Sequence, residues 1–134
     1  MINAETSTVP ARDAPAVILV VEDEWLVRMV IVDALRDSGR LVVEAANGDE
    51  AMAFIQSGAA IDLIFTDVRM PGTVDGLALL AFARQTIPGV PVIVSSGHLV
   101  PTEALSGGAA AFVPKPYRVE EVAELIGASL AGRR

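Results

Sequence analysis

The sequence contains no cysteine and a single histidine, His98. Those two shortages exclude disulfides, thiolate nucleophiles, cysteine-based zinc sites and any metal cluster that needs two imidazoles. Oxygen ligands and oxygen nucleophiles are what remain. Aromatic residues are also scarce, at 4%, although hydrophobic residues make up 52% of the chain. Alanine and valine therefore carry much of the core, which suits sheet strands sandwiched between small-faced helices. Positive charge is in deficit, with Lys+Arg of 10 against Asp+Glu of 17, a net charge of -7 and a pI near 4.5. A surface of that sign repels a phosphate backbone, so direct nucleic-acid binding is not expected. No uninterrupted apolar run approaches the roughly 20 residues of a membrane-spanning helix. The opening MINAETSTVPARDAP has neither a basic stretch nor an apolar signal core. The expected location is the cytoplasm, without membrane insertion.

What is present is enough for one domain. A chain of 134 residues with 20% charged residues and a mean hydropathy of +0.51 is not a disordered acidic chain. Residues 1–14 mix Thr, Ser, Pro and charge without periodicity and read as a flexible tail. One folded domain is expected over 15–131, with 132–134 as a short C-terminal tail. Ala16–Val21 is a continuous β-branched run stopped by charge, the pattern of a strand buried on both faces. Leu41–Ala45, Ile61–Thr66, Val90–Ser95 and the weaker Ala110–Val113 repeat it. Helical patterns lie between and after them, at Trp25–Ser38, where Leu26, Val30 and Leu35 fall at helical spacing, and at Asp49–Ser57, Leu77–Gln85, Thr102–Leu105 and Val119–Leu130. Gly39 and Gly58 stand where helix C-caps belong, and Asn47-Gly48 marks a turn before the second helix. Continuous strands alternating with helices predict an α/β fold, a parallel sheet with helices on both faces in a three-layer sandwich. No further output domain is expected after residue 131.

Ligands of open parallel sheets bind beyond the carboxyl ends of the strands. Four of the five predicted strands end in polar residues suited to one chemistry: Glu22-Asp23-Glu24, Asp67, Ser95-Ser96-Gly97 and Pro114-Lys115-Pro116. Clustered carboxylates raise one another's pKa, a cost that a hard divalent cation relieves. Magnesium accepts oxygen ligands from one or two carboxylates, carbonyls, waters and phosphate. A carboxylate oxygen left free can attack a phosphoryl group to form an aspartyl phosphate, with Lys115 and the Ser96 hydroxyl neutralising the equatorial oxygens. Period-two alternation lets only one of Ser95 and Ser96 face such a site, and the spacing from Pro91 favours Ser96. The Lys115–Pro116 bond is a candidate cis peptide. His98 reads as a loop residue close enough to influence loss of the phosphoryl group.

These residues resemble the receiver domain of bacterial two-component response regulators, similar to the chemotaxis receiver. The matching segments are Ile18-Leu-Val-Val-Glu-Asp-Glu24, Asp67-Val-Arg-Met-Pro-Gly72 with Asp75-Gly76, Pro91-Val-Ile-Val-Ser-Ser-Gly-His98 and Phe112-Val-Pro-Lys-Pro-Tyr117. Together they span about residues 16 to 131. The resemblance implies a flavodoxin-like doubly wound (βα)5 fold with strand order 2-1-3-4-5. It implies that Asp67 is the phosphoacceptor and that Asp23 ligates Mg2+ directly. Glu22 would hold the ion, with Asp67 and the backbone carbonyl of Arg69 as further ligands. Ser96 and Lys115 would stabilise the phosphoryl group. Ser96 and Phe112 would act as the switch, the ring turning inward as Ser96 moves, and so repack the strand 4, helix 4, strand 5 and helix 5 face. The plainer alternative for Phe112 is a core aromatic without a switch role.

The chain departs from the common pattern in three places. Glu22 stands where Asp is more usual, the loop Pro71–Asp75 carries one residue more than the usual form, and the stretch from Ser96 to Lys115 is shorter and holds Pro101, Gly107 and Gly108. Helix four is therefore expected to be short or frayed.

The expected function is that of a stand-alone receiver accepting a phosphoryl group from the phosphohistidine of a sensor histidine kinase or phosphotransfer protein and signalling through protein contacts. It would catalyse transfer to its own Asp67 without being a turnover enzyme. Apolar residues exposed on helices one and five suit a kinase dock or a homodimer contact. Two rivals compete. One is a phosphorylation-independent binding module on the same fold. The other is a Mg-dependent phosphohydrolase working through an aspartyl phosphate, whose nucleophile would sit after the first strand in an Asp-x-Asp pattern where this chain reads Glu-Asp-Glu.

Overall fold

The computed structural model describes residues 14–98 and 101–132. The tail expected at 1–14 lies outside the described residues except for Ala14, as do the last two of the C-terminal tail. Five strands and five helices alternate: β1 Val17–Val21, α1 Trp25–Asp37, β2 Leu41–Ala45, α2 Gly48–Gln56, β3 Leu63–Asp67, α3 Gly76–Thr86, β4 Val92–Ser96, α4 Pro101–Ser106, β5 Ala111–Pro114 and α5 Val119–Ala131. The strands form one parallel sheet in the order β2-β1-β3-β4-β5. The flavodoxin-like fold is thus present. Among the described residues no helix is long and apolar enough to cross a membrane.

Side-chain alternation along the strands divides the core in two. Ile18, Val20, Leu63, Phe65, Ile93 and Val113 face α1 and α5, where they meet Ile31, Leu35, Val122 and Ile126. Leu19, Val21, Ile64, Val92 and Val94 face the other way, onto Ala51 and Ile55 of α2, Leu79, Leu80 and Ala83 of α3, and Ala104 of α4. The central strands β3 and β4 are buried at every residue, whereas the edge strand β2 is exposed at Leu41 and Glu44.

Two strands, β3 and β4, begin two residues later than their apolar runs. Asp62 precedes β3 and accepts a hydrogen bond from Val17 N at 2.7 Å, and Pro91, which has no N–H, precedes β4 and accepts from Ile64 N at 3.0 Å. Ile61 and Val90 are nonetheless buried plugs beneath the sheet. The apolar run reported burial, and hydrogen bonding set the ladder. At the other end the strands run further than expected, so that Asp67 and Ser96 are the last residues of β3 and β4.

Helix α1 presents a different face from the one that the spacing of Leu26, Val30 and Leu35 suggested. Ile31, Val32 and Leu35 are buried, while Trp25, Leu26, Met29 and Val30 are exposed, Trp25 by 60%. Apolar residues surround this helix on more than one side, so periodicity alone could not choose the inner one. On α5 the large apolar residues are at least partly buried, which corrects the expectation of an exposed apolar surface there. Helix α4 is short, spanning six residues. Gly39 (φ 91°) and Gly58 (φ 80°) end α1 and α2 as expected, and Asn47 caps α2 by accepting from Glu50 N at 2.8 Å.

Candidate functional site

The carboxyl ends of the strands bring the predicted residues together around an open cavity of about 600 Å³. Asp23, Asp67, Arg69, Ser96, His98 and Lys115 all contribute to its wall. Alternation explains the arrangement: Glu22, Asp67 and Lys115 continue the phase of Val20, Phe65 and Val113, so they emerge on the α1/α5 side of the sheet. Ser96 continues the phase of Val94 and enters from the other side. Ser95, one residue earlier, has its hydroxyl buried without a hydrogen-bond partner among the described residues and does not reach the cavity.

Lys115 is the centre of the charge arrangement. Its Nζ donates to Asp67 Oδ2 at 3.0 Å and to Glu22 Oε1 at 3.2 Å. Burial opposes its charge, but the hydrogen bond it donates to Asp67 and the charge of Glu22 prevail, and its pKa is pushed up to about 12. It follows Pro114 and precedes a cis peptide to Pro116, and its backbone N donates to Ser96 O at 3.1 Å. Asp67 is 6% exposed, and its Oδ1 accepts from Val68 N at 2.8 Å. Glu22 is 1% exposed. Burial first, and then the charge of Asp67, raise its pKa above 4.5 despite a bond from Glu24 N and the nearness of Lys115. Asp23, next in sequence, is exposed at the cavity edge.

Ligand oxygens of Glu22, Asp23 and Asp67 all lie within 4.8 Å of one another. Three carboxylates this close, two of them buried and one of these, Glu22, reluctant to ionise, share a single lysine contact that reaches only two of them. A small hard dication fits this donor set, because it would offset the residual repulsion that Lys115 leaves.

The Ser96 hydroxyl accepts from His98 N at 3.0 Å, which fixes the backbone turn after β4. Phe112 is placed differently from the rest. It is half-buried opposite Val94, packs into the core on the α2/α3/α4 side, and forms no part of the cavity wall.

Sequence reasoning missed three contributors. Arg28 donates to the Glu22 carbonyl at 2.6 Å and pairs with Glu44 at 3.0 Å, tying the β1–α1 turn to β2. The signal available was a cation one turn into a helix whose first eight residues are otherwise apolar. Tyr117 lines the cavity, its ring edge-on to Phe65 at 6.0 Å, with its hydroxyl buried and unbonded among the described residues. Burial and the charge of Glu22 push that hydroxyl's pKa up to about 12. Gly76 was noted for its motif only. A side chain there would strike the carbonyl of Asp67 and the Cα of Val68, so the start of α3 lies directly against the backbone of the acidic strand end.

Comparison with known proteins agrees with this geometry. The family model for the response regulator receiver domain matches residues 18–127. The chain is 35% identical over 113 residues to the DNA-binding transcriptional regulator NtrC of Salmonella typhimurium, covering 82% of this chain and 24% of that protein. It is 37% identical over 119 residues to the sensor kinase CckA of Brucella abortus, covering 83% of this chain and 12% of the relative. The chain thus spans a quarter or less of these relatives. Among solved structures, a response regulator receiver protein from Sinorhizobium medicae superposes with a TM-score of 0.82 at 30% identity, covering 90% of this chain and 98% of the other. With a parallel sheet in the order β2-β1-β3-β4-β5, an acidic cluster at its carboxyl edge and a family match across most of its length, this chain belongs to the response regulator receiver domain family of two-component systems.

Proposed function

We propose that this receiver accepts a phosphoryl group on Asp67 from the phosphohistidine of a sensor histidine kinase or phosphotransfer protein in a Mg2+-dependent reaction. It would act in the cytoplasm and signal by protein contact. The observation that carries this function is the grip of Lys115 on Asp67 at 3.0 Å, in a cavity whose remaining acids suit a cation. As the Asp67 carboxylate attacks phosphorus, the bond from phosphorus to the imidazole nitrogen breaks, and that nitrogen keeps the electron pair. Lys115, already bound to Asp67, is placed to neutralise charge on the transferred group's oxygens, and Ser96 to donate a hydrogen bond. Glu22, Asp23, Asp67 and the Arg69 carbonyl would hold Mg2+, which when bound supplies positive charge against the phosphoryl oxygens. Each protein is its own substrate, so it turns over only as the acyl phosphate is lost. Phe112, outside the cavity wall but packed beside Val94 on the strand that ends in Ser96, is the proposed switch ring.

Intact mass after incubation with acetyl phosphate and Mg2+ tests this. The wild type should gain one phosphoryl group that hydroxylamine removes, and Asp67→Asn or an EDTA control should gain none. A wild type that gains nothing from acetyl phosphate or from phosphorylated kinases, while binding Mg2+ normally, would return the chain to the phosphorylation-independent binding module.

A further inference from the structure

The loop from Val68 to Asp75 leaves the acidic end of β3, carries Arg69 past the cavity and returns to α3. It also carries the residue by which this chain exceeds the usual receiver form. An extra residue would ordinarily slacken a loop. Here the far half of the loop is tied to the N-terminus of α2. Thr73 Oγ1 donates to Asp49 Oδ1 at 2.7 Å, and Thr73 N donates to Asp49 Oδ2 at 3.2 Å. Gly72, at a φ of 102°, lies so close beneath the same carboxylate that a side chain would collide with it. One residue earlier on α2, Gly48 has no room for a Cβ because the Val74 carbonyl rests on it, and the Val74 side chain is buried in the core. At the end of the loop Gly76 N donates to Val68 O at 2.8 Å, which closes it against the strand.

We propose that Asp49 and Thr73 form a latch that positions the β3–α3 loop, so that the Arg69 carbonyl is held at the cation site by a contact made on α2. Neither residue touches the cavity, so both act as positioning residues. The hydrogen bonds from Thr73 hold the Asp49 carboxyl below its ordinary pKa, so the latch is charged near neutrality. The inference rests on the proposed role of Arg69 and extends it. Without the latch, the elongated loop would sample positions in which that carbonyl faces away.

Mg2+ titration of the full chain by calorimetry, with Trp25 fluorescence as a second signal, tests the latch in Asp49→Ala, Thr73→Val, Thr73→Ser and the Asp49→Ala/Thr73→Val pair. Asp49→Ala and Thr73→Val should each weaken Mg2+ binding about 3- to 10-fold, less than the roughly 10- to 100-fold typical of groups bonded directly to metal ligands, because the latch acts through the loop. Thr73→Ser, which keeps the hydroxyl, should recover most of the affinity, and the pair should be no worse than the more severe single change. An affinity within twofold of wild type in both single variants, even with a lowered thermal midpoint, would overturn the latch as a positioning device. So would equal losses in Thr73→Ser and Thr73→Val. Thr73→Val leaves the acidic first turn of α2 intact and so serves if Asp49→Ala folds poorly. A wild type that acquires no phosphoryl group refutes the proposed function, whereas a wild type that does so beside unaffected variants refutes only the latch.

Discussion

At the scale of single residues, Glu22 carries the sharpest conflict. Its carboxylate sits among buried strand ends beside Asp67, and Lys115 offsets only part of the cost. Its pKa in the fold is raised from 4.5, so the folded protein holds this proton more tightly than the unfolded chain does. The contribution to stability is therefore full below the unfolded value and falls as pH rises through the folded one. In the metal-free protein Glu22→Gln should be no more stable than wild type near about pH 4 but more stable near about pH 7. Urea titrations at the two pH values, with EDTA present, check this. A variant less stable at neutral pH would mean that the bond to Lys115 outweighs burial. The neighbouring choice between Ser95 and Ser96 was legible from alternation counted from Pro91. Tyr117 was not legible as part of the cavity, because its ring packs edge-on to Phe65, a contact made between distant parts of the chain.

At the scale of elements, glycine contacts fix how the helices begin. Gly76 opens α3 against the Asp67 carbonyl, and Gly48 opens α2 against the Val74 carbonyl. Gly76→Ala should cost on the order of 2–3 kcal/mol, because the added methyl meets backbone that cannot rotate away. Its urea midpoint should fall accordingly, and phosphorylation from acetyl phosphate should slow because the displaced backbone is that of Asp67. Normal stability with normal phosphorylation would show that the strand end shifts freely. Helix boundaries were legible to within about two residues, since caps such as Asn47 and stops such as Gly39 are local. The inner face of α1 was not legible, because its apolar residues lie on more than one side and only packing against the sheet and α5 selects Ile31, Val32 and Leu35.

At the scale of the whole molecule, the site is built from residues 22 to 115 and closes only when four strands, β1, β3, β4 and β5, are in register. Binding a dication there should therefore stabilise the entire fold, since the ligands converge only in the folded state. At a Mg2+ concentration near 100 times the dissociation constant the gain should be about 2.7 kcal/mol. Thermal melts in Mg2+ and in EDTA measure it. Asp23→Asn should shrink the gain while leaving the EDTA midpoint nearly unchanged, because Asp23 is exposed and its charge is solvated. An equal gain in Asp23→Asn would remove that residue from the ligand set.

The sequence by itself determined the alternation of strands and helices, the parallel sheet and the edge at which the polar residues gather. Apolar runs, caps and turn residues act over a few positions and leave their mark in order along the chain. Only the tertiary structure decided how the edge is wired. Lys115 reaches Asp67 and Glu22 across 48 and 93 residues, and Asp49 reaches Thr73 across 24. Such contacts follow from strand order, side-chain phase and the path of loops. They depend on distances that no local pattern encodes.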